Sequence, residues 1–120
     1  MSQSRQVEIR VEGALWTVNS ERTWHWTKRA KYVKWWRTAT AWQVLSQRCK
    51  PFERVVIIAQ PTQLKSKADV QAHAPVIKAM IDGMVDAKLF PDDGPRYVLA
   101  ITELAPIHGR EGMTLTVIAE

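Results

Sequence analysis

The sequence predicts a single α+β domain in which two helices pack on a four-stranded mixed sheet. Three observations predict this class. The periodic segments follow the order βαβαββ, the strand-like segments alternate or run apolar over strand lengths, and 120 residues suffice for one core but not two. Hydrophobic and charged contents of 46% and 24% are ordinary for a folded domain. No apolar run approaches the roughly 20 residues of a membrane-spanning helix, so no membrane partner is expected.

The N-terminal half begins with a strand and continues into a long helix. The strand is predicted over Gln6–Val11, where apolar and charged residues alternate as in a strand with one buried face. Residues 14–21 are predicted to be a connecting loop, with Asn19 and Ser20 as turn or capping residues. The helix is predicted over Thr23–Arg48, because this stretch contains neither Gly nor Pro.

The predicted first helix combines basic and aromatic side chains. It contains five of the six Trp residues, more than one small core requires. Cations interleaved with aromatic rings suit contact with phosphates and bases, so we predict that the basic row contacts nucleic acid. The alternative is a solvated basic face, and for each single Trp a core position is the favoured interpretation. The predicted DNA-contacting residues of this region are Arg22, Lys28, Arg29, Lys31, Lys34 and Arg37.

Charge is divided unevenly along the chain. Residues 1–60 carry 11 Lys/Arg and 4 acids, residues 61–120 carry 6 and 8, and the net charge is +5. A basic half indicates a polyanionic partner and an acidic cluster indicates a cation, although a basic surface without a ligand is the alternative. Cys49 is the single cysteine, so we expect neither a disulfide nor a cysteine-rich zinc site. With no apolar signal segment near the N-terminus, these features predict a cytoplasmic setting.

The next two elements are a strand and a second helix. The continuous apolar run Arg54–Gln60 is typical of a central strand covered on both faces, and Pro61 is predicted to end it. The helix is predicted to begin at Ala72 or Ala74 and to run to Lys88. Its predicted buried stripe is Ile77, Met80, Ile81, Met84 and Val85.

The segments around and after the second helix carry charge and then apolar strands. The polar loop before the helix contains Lys65 and Lys67, which we add to the predicted DNA contacts. The two last apolar stretches, Tyr97–Leu104 and Met113–Ala119, are predicted to pair as a hairpin with a longish loop.

The second helix and its flanks carry a pattern of acids and one lysine. A loop acid is followed by Pro-x-x-Lys-x-x-x-Asp-Gly-x-Val-Asp-Ala and then by a Pro-Asp-Asp turn. This pattern resembles the RusA family of Holliday-junction resolvases, and most closely its divergent bacteriophage and prophage members. The matching residues are Asp69, Pro75, Lys78, Asp82, Gly83, Val85, Asp86, Ala87, Pro91, Asp92 and Asp93. In the N-terminal half, Asn19 to Arg22, His25-Trp26 and the basic helix ending in Trp42 also resemble that group.

The resemblance implies a homodimer that binds four-way DNA junctions and nicks them with Mg²⁺, or alternatively Mn²⁺. It implies that Asp69, Lys78 and Asp93 are catalytic, and that Asp69, Asp92 and Asp93 hold the metal. Lys78 is expected to neutralise a phosphate oxygen, or else to form an i, i+4 ion pair with Asp82.

This chain departs from the family pattern at Ala72, where phage-type members have Asn. His73 beside it is either a replacement ligand or, as is commoner, a cap or surface residue. If the helix alone set their separation, Asp69 and Asp93 would lie about 24 Å apart. Sharing a metal therefore requires a flanking segment to fold back, or an acid from the partner subunit.

Three functions are consistent with these residues. The first is a Mg²⁺-dependent, structure-selective DNA endonuclease acting in recombination or repair. The second is a catalytically impaired protein of the same fold that binds junction DNA. The third is a dimeric scaffold whose Trp residues form an interaction surface.

Overall fold

The computed structural model of the protein describes residues 5–64 and 73–120. Its elements in chain order are β1 (Gln6–Glu12), α1 (Val18–Glu21), α2 (Trp26–Ser46), β2 (Val55–Gln63), α3 (Ala74–Asp86), β3 (Val98–Glu103), β4 (Ile107–His108) and β5 (Gly112–Ala119). The predicted α+β class with a mixed sheet is confirmed. α2 and α3 pack against each other, α2 also over β1 and α3 also over β5. The described residues form five strands and three helices, one strand and one helix more than predicted. The additional elements are the short α1 and β4.

The sheet has the order β1-β5-β2-β3, and β4 extends the β3 side by pairing with the end of β2. β5 is antiparallel to both β1 and β2, whereas β3 is parallel to β2. The predicted hairpin of the last two long strands is therefore wrong, because β2 lies between them. The reason is the crossover through α3, which delivers the chain to the free side of β2 in the parallel direction.

β2 continues through Pro61 to Gln63, so the prediction that Pro61 ends the strand is also wrong. Proline cannot donate a backbone hydrogen bond and is tolerated in a strand only where no neighbour needs one. On one side Pro61 pairs with Met113 of β5. On the other side the neighbouring strand is interrupted, because β3 pairing stops at Ala59 and β4 pairing begins at Thr62.

The core lies between the sheet and the two longer helices. Fully buried members include Ile9, Ile57 and Leu115 of the sheet and Trp36 and Met80 of the two longer helices. The predicted buried stripe of α3 is confirmed at four of its five positions, Val85 being only half-buried. α3 begins just before Pro75 as predicted, and it ends two residues early because Lys88 adopts a left-handed φ of 62°.

α2 buries a much narrower stripe than α3. Only Trp36, Thr40 and Val44 are fully buried, one residue per turn, and most of the helix faces solvent. In α2, polar and apolar side chains are mixed around the helix rather than sorted onto separate faces. In the described part of the chain, no helix is both long and apolar enough to cross a membrane.

The loop before α2 is anchored by aromatic rings. Trp16 contacts the rings of Trp24, Tyr32 and Trp36 at centroid distances of 5.6–6.4 Å, and its indole N–H donates to Glu21 Oε2 at 2.8 Å. Residues 14–21 are thus not a plain loop. They contain the single turn α1, which is held by a capping box between Thr17 and Ser20.

A core position was the favoured interpretation for each Trp, and it is confirmed for only part of the Trp residues. Trp16 and Trp36 are buried and Trp24 is half-buried, whereas Trp26, Trp35 and Trp42 are exposed. For these three exposed residues the core interpretation is wrong.

α2 and α3 cross at very close range where Gly83 faces α2. A Cβ atom on Gly83 would collide with the backbone carbonyl oxygen of Arg37 and approach Thr40 Cβ to 3.0 Å. Beside this contact, Arg37 donates two hydrogen bonds to the carboxylate of Asp86, one of them at 2.7 Å. The absence of a side chain at position 83 therefore sets the spacing of the two helices.

We expect Gly83→Ala to destabilise the protein by about 1–3 kcal/mol, because the added methyl group meets backbone that cannot move without separating the helices. In an exposed helix the same change would stabilise by roughly 0.5–1 kcal/mol, so the sign of the effect is diagnostic. Urea unfolding measures the change. Gly94→Ala is the matched control, since its Cβ would meet Asp92 only at an ordinary 3.4 Å. Equal or greater stability of Gly83→Ala would contradict the close crossing.

Candidate functional site

Lys78 lies at the centre of a small charged cluster on α3. Its ammonium group donates to Asp82 Oδ1 at 2.8 Å and to Asp93 Oδ2 at 2.6 Å. Asp82 stands one helical turn further along, whereas Asp93 comes from the loop after the helix. Lys78 therefore forms the i, i+4 ion pair with Asp82 and contacts the predicted catalytic acid Asp93 at the same time.

The loop after α3 folds back along the helix. Asp93 follows the last residue of α3 by seven positions, yet its carboxylate contacts the fifth residue of the helix, Lys78. The separation of about 24 Å expected from the helix alone therefore does not apply to Asp93. The predicted residues Asp69, Lys65 and Lys67, like the departure at Ala72, lie outside the described residues.

The cluster shifts the protonation equilibria of its members. Hydrogen bonding to Lys78 lowers the pKa of Asp93, and hydrogen bonds to Asp82 and Asp93 raise the pKa of Lys78. The Lys78 side chain is 61% exposed, so water screens these ion pairs and each contributes little to stability. The backbone N–H of Asp93 also donates to Asp92 Oδ1 at 2.8 Å, which fixes the orientation of the neighbouring carboxylate.

A groove of about 290 Å³ opens between α3 and the edge strand β3, with Lys78 on its wall. The rest of its lining is mostly apolar, and its one buried charged residue is Glu103. The lining residues are Ala74, Ile77, Lys78, Ile81, Ile101 and Glu103.

Glu103 forms a buried pair with His73 at this groove. Their side chains are 3% and 1% exposed, and Glu103 Oε2 lies 3.4 Å from His73 Nδ1. This is ion-pair distance, but the geometry does not make a hydrogen bond, and neither atom has another hydrogen-bond partner among the described residues. His73 Nε2 lies 2.9 Å from the side-chain amide of Gln63. Buried polar groups are costly unless they are paired, so this set fixes the start of α3 against the sheet.

The pair occupies a position that is commonly functional in α/β proteins. Gln63 and Glu103 end the parallel strands β2 and β3, and His73 immediately precedes α3. Ligand sites in such sheets lie beyond the carboxyl ends of parallel strands. His73 is the N-cap residue of α3, as one of its interpretations had it, although its side chain makes no capping hydrogen bond. Because it is 1% exposed, its interpretation as a surface residue is wrong. Glu103 was missed because the predicted hairpin placed its strand beside the wrong neighbour.

The described carboxylates fit only part of a magnesium site. Asp92 and Asp93 are adjacent, but the ammonium group of Lys78 already neutralises Asp93. Within residues 5–64 and 73–120, no three His, Cys, Asp or Glu side chains come together as a cation site. Mg²⁺ commonly takes one or two carboxylates and completes its shell with water, so Asp92 and Asp93 would suffice in number. Asp69, the third predicted ligand, lies outside the described residues.

The predicted DNA-contacting cations fall into two groups. Arg37 is engaged by Asp86, whose hydrogen bond raises the pKa of Arg37. The others are exposed, and in the described part of the chain none of them forms an ion pair. These residues are Arg22, Lys28, Arg29, Lys31 and Lys34. Lys28 also stands 4.4 Å from the ring centroid of Trp24, a cation–π distance.

The chain matches no protein-family model, and no curated protein matches it in sequence. Its function is therefore argued from the residues and their geometry.

We expect Lys78→Met to raise the pKa of Asp93 toward its ordinary value, because the variant lacks the hydrogen bond that lowers it. A lowered pKa contributes stability above the unfolded-state pKa of Asp93, and this stability is lost as the pH falls through the folded-state value. The stability difference between the wild-type protein and Lys78→Met should therefore shrink in acid. Carbon NMR titration of the Asp93 carboxyl measures the pKa. Lys88→Met is the matched control, and an unchanged Asp93 pKa in Lys78→Met would rule out the contact.

Proposed function

We propose that the protein is a Mg²⁺-dependent, structure-selective endodeoxyribonuclease of the RusA type that cuts four-way junctions or other branched DNA during recombination and repair. The proposed setting is the cytoplasm of a bacterium or a phage-infected host. The observation that carries the proposal is the 2.6 Å contact between Lys78 and Asp93, two residues separated by most of α3. The contact brings together the cation and the acid that the resemblance implies for catalysis.

The chemistry assigns a role to each group. Hydrolysis of a phosphodiester needs an activated water and stabilisation of the charge that develops around phosphorus. Mg²⁺ held by Asp69, Asp92 and Asp93 would supply both when bound. Lys78 would bind a non-bridging phosphate oxygen through its ammonium group, which is charged at neutral pH at the ordinary pKa of lysine.

The buried pair and α2 support the site from two sides. His73 and Glu103 would act as positioning residues, because they hold the N-terminus of α3 at the ends of β2 and β3. The exposed cations of α2 other than Arg37 would bind DNA phosphates without first breaking ion pairs. Lys65 and Lys67, which lie outside the described residues, are proposed as further DNA contacts.

The homodimer is supported by the edge of the sheet. Among the described strands β3 pairs only with β2, which leaves its other side open. The strand and the segment after it expose apolar side chains at 41–52% of their area: Leu99, Ile101, Leu104 and Ile107. Exposed apolar edge strands favour pairing with another chain, and cutting both strands of a junction requires two active sites.

A catalytically impaired junction-binding protein is the second candidate. Ala72 supports it, because a small apolar side chain stands where a polar ligand is expected. The position of Lys78 between Asp82 and Asp93 also supports it, since the ammonium group already balances the charge of those carboxylates.

We expect Asp93→Asn to lower Mg²⁺-dependent nicking of a four-way junction by more than about 100-fold. Loss of a residue that only hydrogen-bonds to a metal ligand already lowers activity by about 10–100-fold, and loss of a ligand itself should lower it further. Junction affinity should stay equal or rise slightly, since the change removes a negative charge near DNA. Gel assays of cleavage and binding measure the two effects.

The matched control is Glu53→Gln, which neutralises an exposed acid outside the site and should leave both properties unchanged. If the wild-type protein binds junctions but never cuts them with Mg²⁺ or Mn²⁺, the second candidate replaces the first. Failure to bind any DNA at low salt would exclude both.

We expect the wild-type protein to have twice the 13.7 kDa chain mass in solution, and Leu99→Lys to reduce it to one chain. A lysine on an edge strand opposes pairing with a second edge. Light scattering after size-exclusion chromatography measures the mass. Lys88→Met serves as a surface control, and a monomeric wild-type protein would contradict the dimer.

A further inference from the structure

The exposed side of α2 carries two large aromatic side chains that the domain core does not use. Trp35 and Trp42 are 50% and 69% exposed, although Trp is highly buried on average. Seven residues separate them, so they lie on one side of the helix with about 10 Å of helical rise between them. We call this surface the Trp35–Trp42 face and define it as Lys31, Lys34, Trp35, Thr38 and Trp42.

The ring of Trp35 is held before any partner arrives. Its outer edge lies over Gly13, where a Cβ atom would come within 2.7 Å of the ring. It also meets Trp36 edge-on, at a centroid distance of 5.6 Å, and the Trp36 N–H donates to the carbonyl oxygen of Ala14 at 3.1 Å. A ring fixed in this way loses little conformational entropy when a planar group stacks on it.

Two hollows flank the fixed ring. One, of about 330 Å³, lies between α2 and the Gly13–Ala14 segment. The other, of about 500 Å³, extends along α2 to Trp42. Lys31 and Trp35 line both hollows, so a partner in either one meets an aromatic ring and an ammonium group together.

Charge decides which partner fits this face. α2 contains five Lys/Arg and no acid, and within the described residues Lys31 and Lys34 form no ion pair. Two copies joined through this face would bring their lysines together, which like-charge repulsion opposes. A membrane-bound helix needs a continuous apolar side, whereas Thr38 separates the two rings here. A partner with planar groups and negative charge can stack on the indole rings and pair with the lysine ammonium groups.

We propose that the Trp35–Trp42 face binds unpaired nucleotides of a DNA strand, with bases stacked on the two indoles and phosphates beside Lys31 and Lys34. In a duplex the faces of the bases are covered by their neighbours, whereas a single strand or an opened branch point exposes them. The proposal rests on the proposed function for its partner class, DNA, but not for strand cleavage. It would allow the protein to prefer DNA whose bases are unpaired near a branch.

The test uses fluorescence anisotropy with a labelled oligothymidylate of about 15 nucleotides and a blunt duplex of equal length. The wild-type protein should bind the oligothymidylate more tightly. Trp35→Leu and Trp42→Leu should each weaken that binding about fivefold to a hundredfold, the range measured for one base–aromatic stack, and change duplex binding by less than about twofold. Trp42→Phe keeps a ring and should retain most of the affinity.

Two further variants separate stacking from charge and from general surface effects. Trp26→Leu is the matched control, because Trp26 is 68% exposed but points to the opposite side of α2, and its affinity should be unchanged. The double variant Lys31→Gln, Lys34→Gln should make the slope of log affinity against log salt less negative by about 1.4.

Unchanged oligothymidylate affinity in both Leu variants, with wild-type thermal unfolding, overturns the proposal. So does conversion of a wild-type oligomer to a monomer by Trp42→Leu at unchanged affinity, or binding to anionic vesicles but not to oligothymidylate. A wild-type protein that binds oligothymidylate through the two rings but never cuts junctions contradicts the nuclease alone. If the wild-type protein cuts junctions while Trp35→Leu and Trp42→Leu keep its oligothymidylate affinity, only the proposal for the Trp35–Trp42 face is contradicted.

Discussion

The contact between Gly83 and the backbone of α2 sets the position of the groups to which we assign a function. Because no side chain separates the helices at this point, α3 lies close enough for Arg37 to reach Asp86. Thr40 tolerates burial in the same interface because its hydroxyl donates to the carbonyl oxygen of Trp36 at 2.7 Å. A bulkier crossing would separate the helices and rotate the row Lys78, Asp82 and Asp86 relative to the loop that carries Asp93.

The two longer helices, α2 and α3, differ in how much of their surface is buried. α3 buries a wide side and leaves one charged row exposed, at one end of which Asp86 joins α2 and at the other Lys78 joins Asp93. α2 buries only three residues fully, so its unpaired cations and the exposed Trp35 and Trp42 remain available to a partner. Structural ion pairing and proposed chemistry therefore share one helix face, while proposed DNA contact belongs to the other helix.

Much of the fold follows from the sequence, because periodicity reports directly on burial. The α+β class, the strand at Gln6, the start of α3 beside Pro75 and most of its buried stripe were all predictable. The pairing partners of the strands were not predictable from the sequence. Tyr97–Leu104 is apolar whether it pairs with β2 or with β5, and its pattern does not distinguish a parallel neighbour from a hairpin.

The site was less predictable than the fold. The residue pattern singled out Lys78 and Asp93, but their contact depends on a loop that folds back, which spacing along the chain does not determine. The partnership of Glu103 with His73 depends on the parallel pairing of β3, so it was lost together with that pairing. Composition indicated a surplus of Trp, yet only packing separates the buried Trp36 from its exposed neighbour Trp35.

The strand order also constrains how the chain reaches this structure. β5 is the last element in chain order, yet it lies between β1 and β2 and pairs with both along most of their lengths. Until β5 docks, β1 has no neighbour among the described strands of the sheet. Closing such distant pairs is entropically demanding, so assembly of this domain is dominated by non-local contacts rather than by its helices. An incomplete chain that ends before β5 would leave β1 and one edge of the strongly apolar β2 unpaired, and would be prone to aggregate.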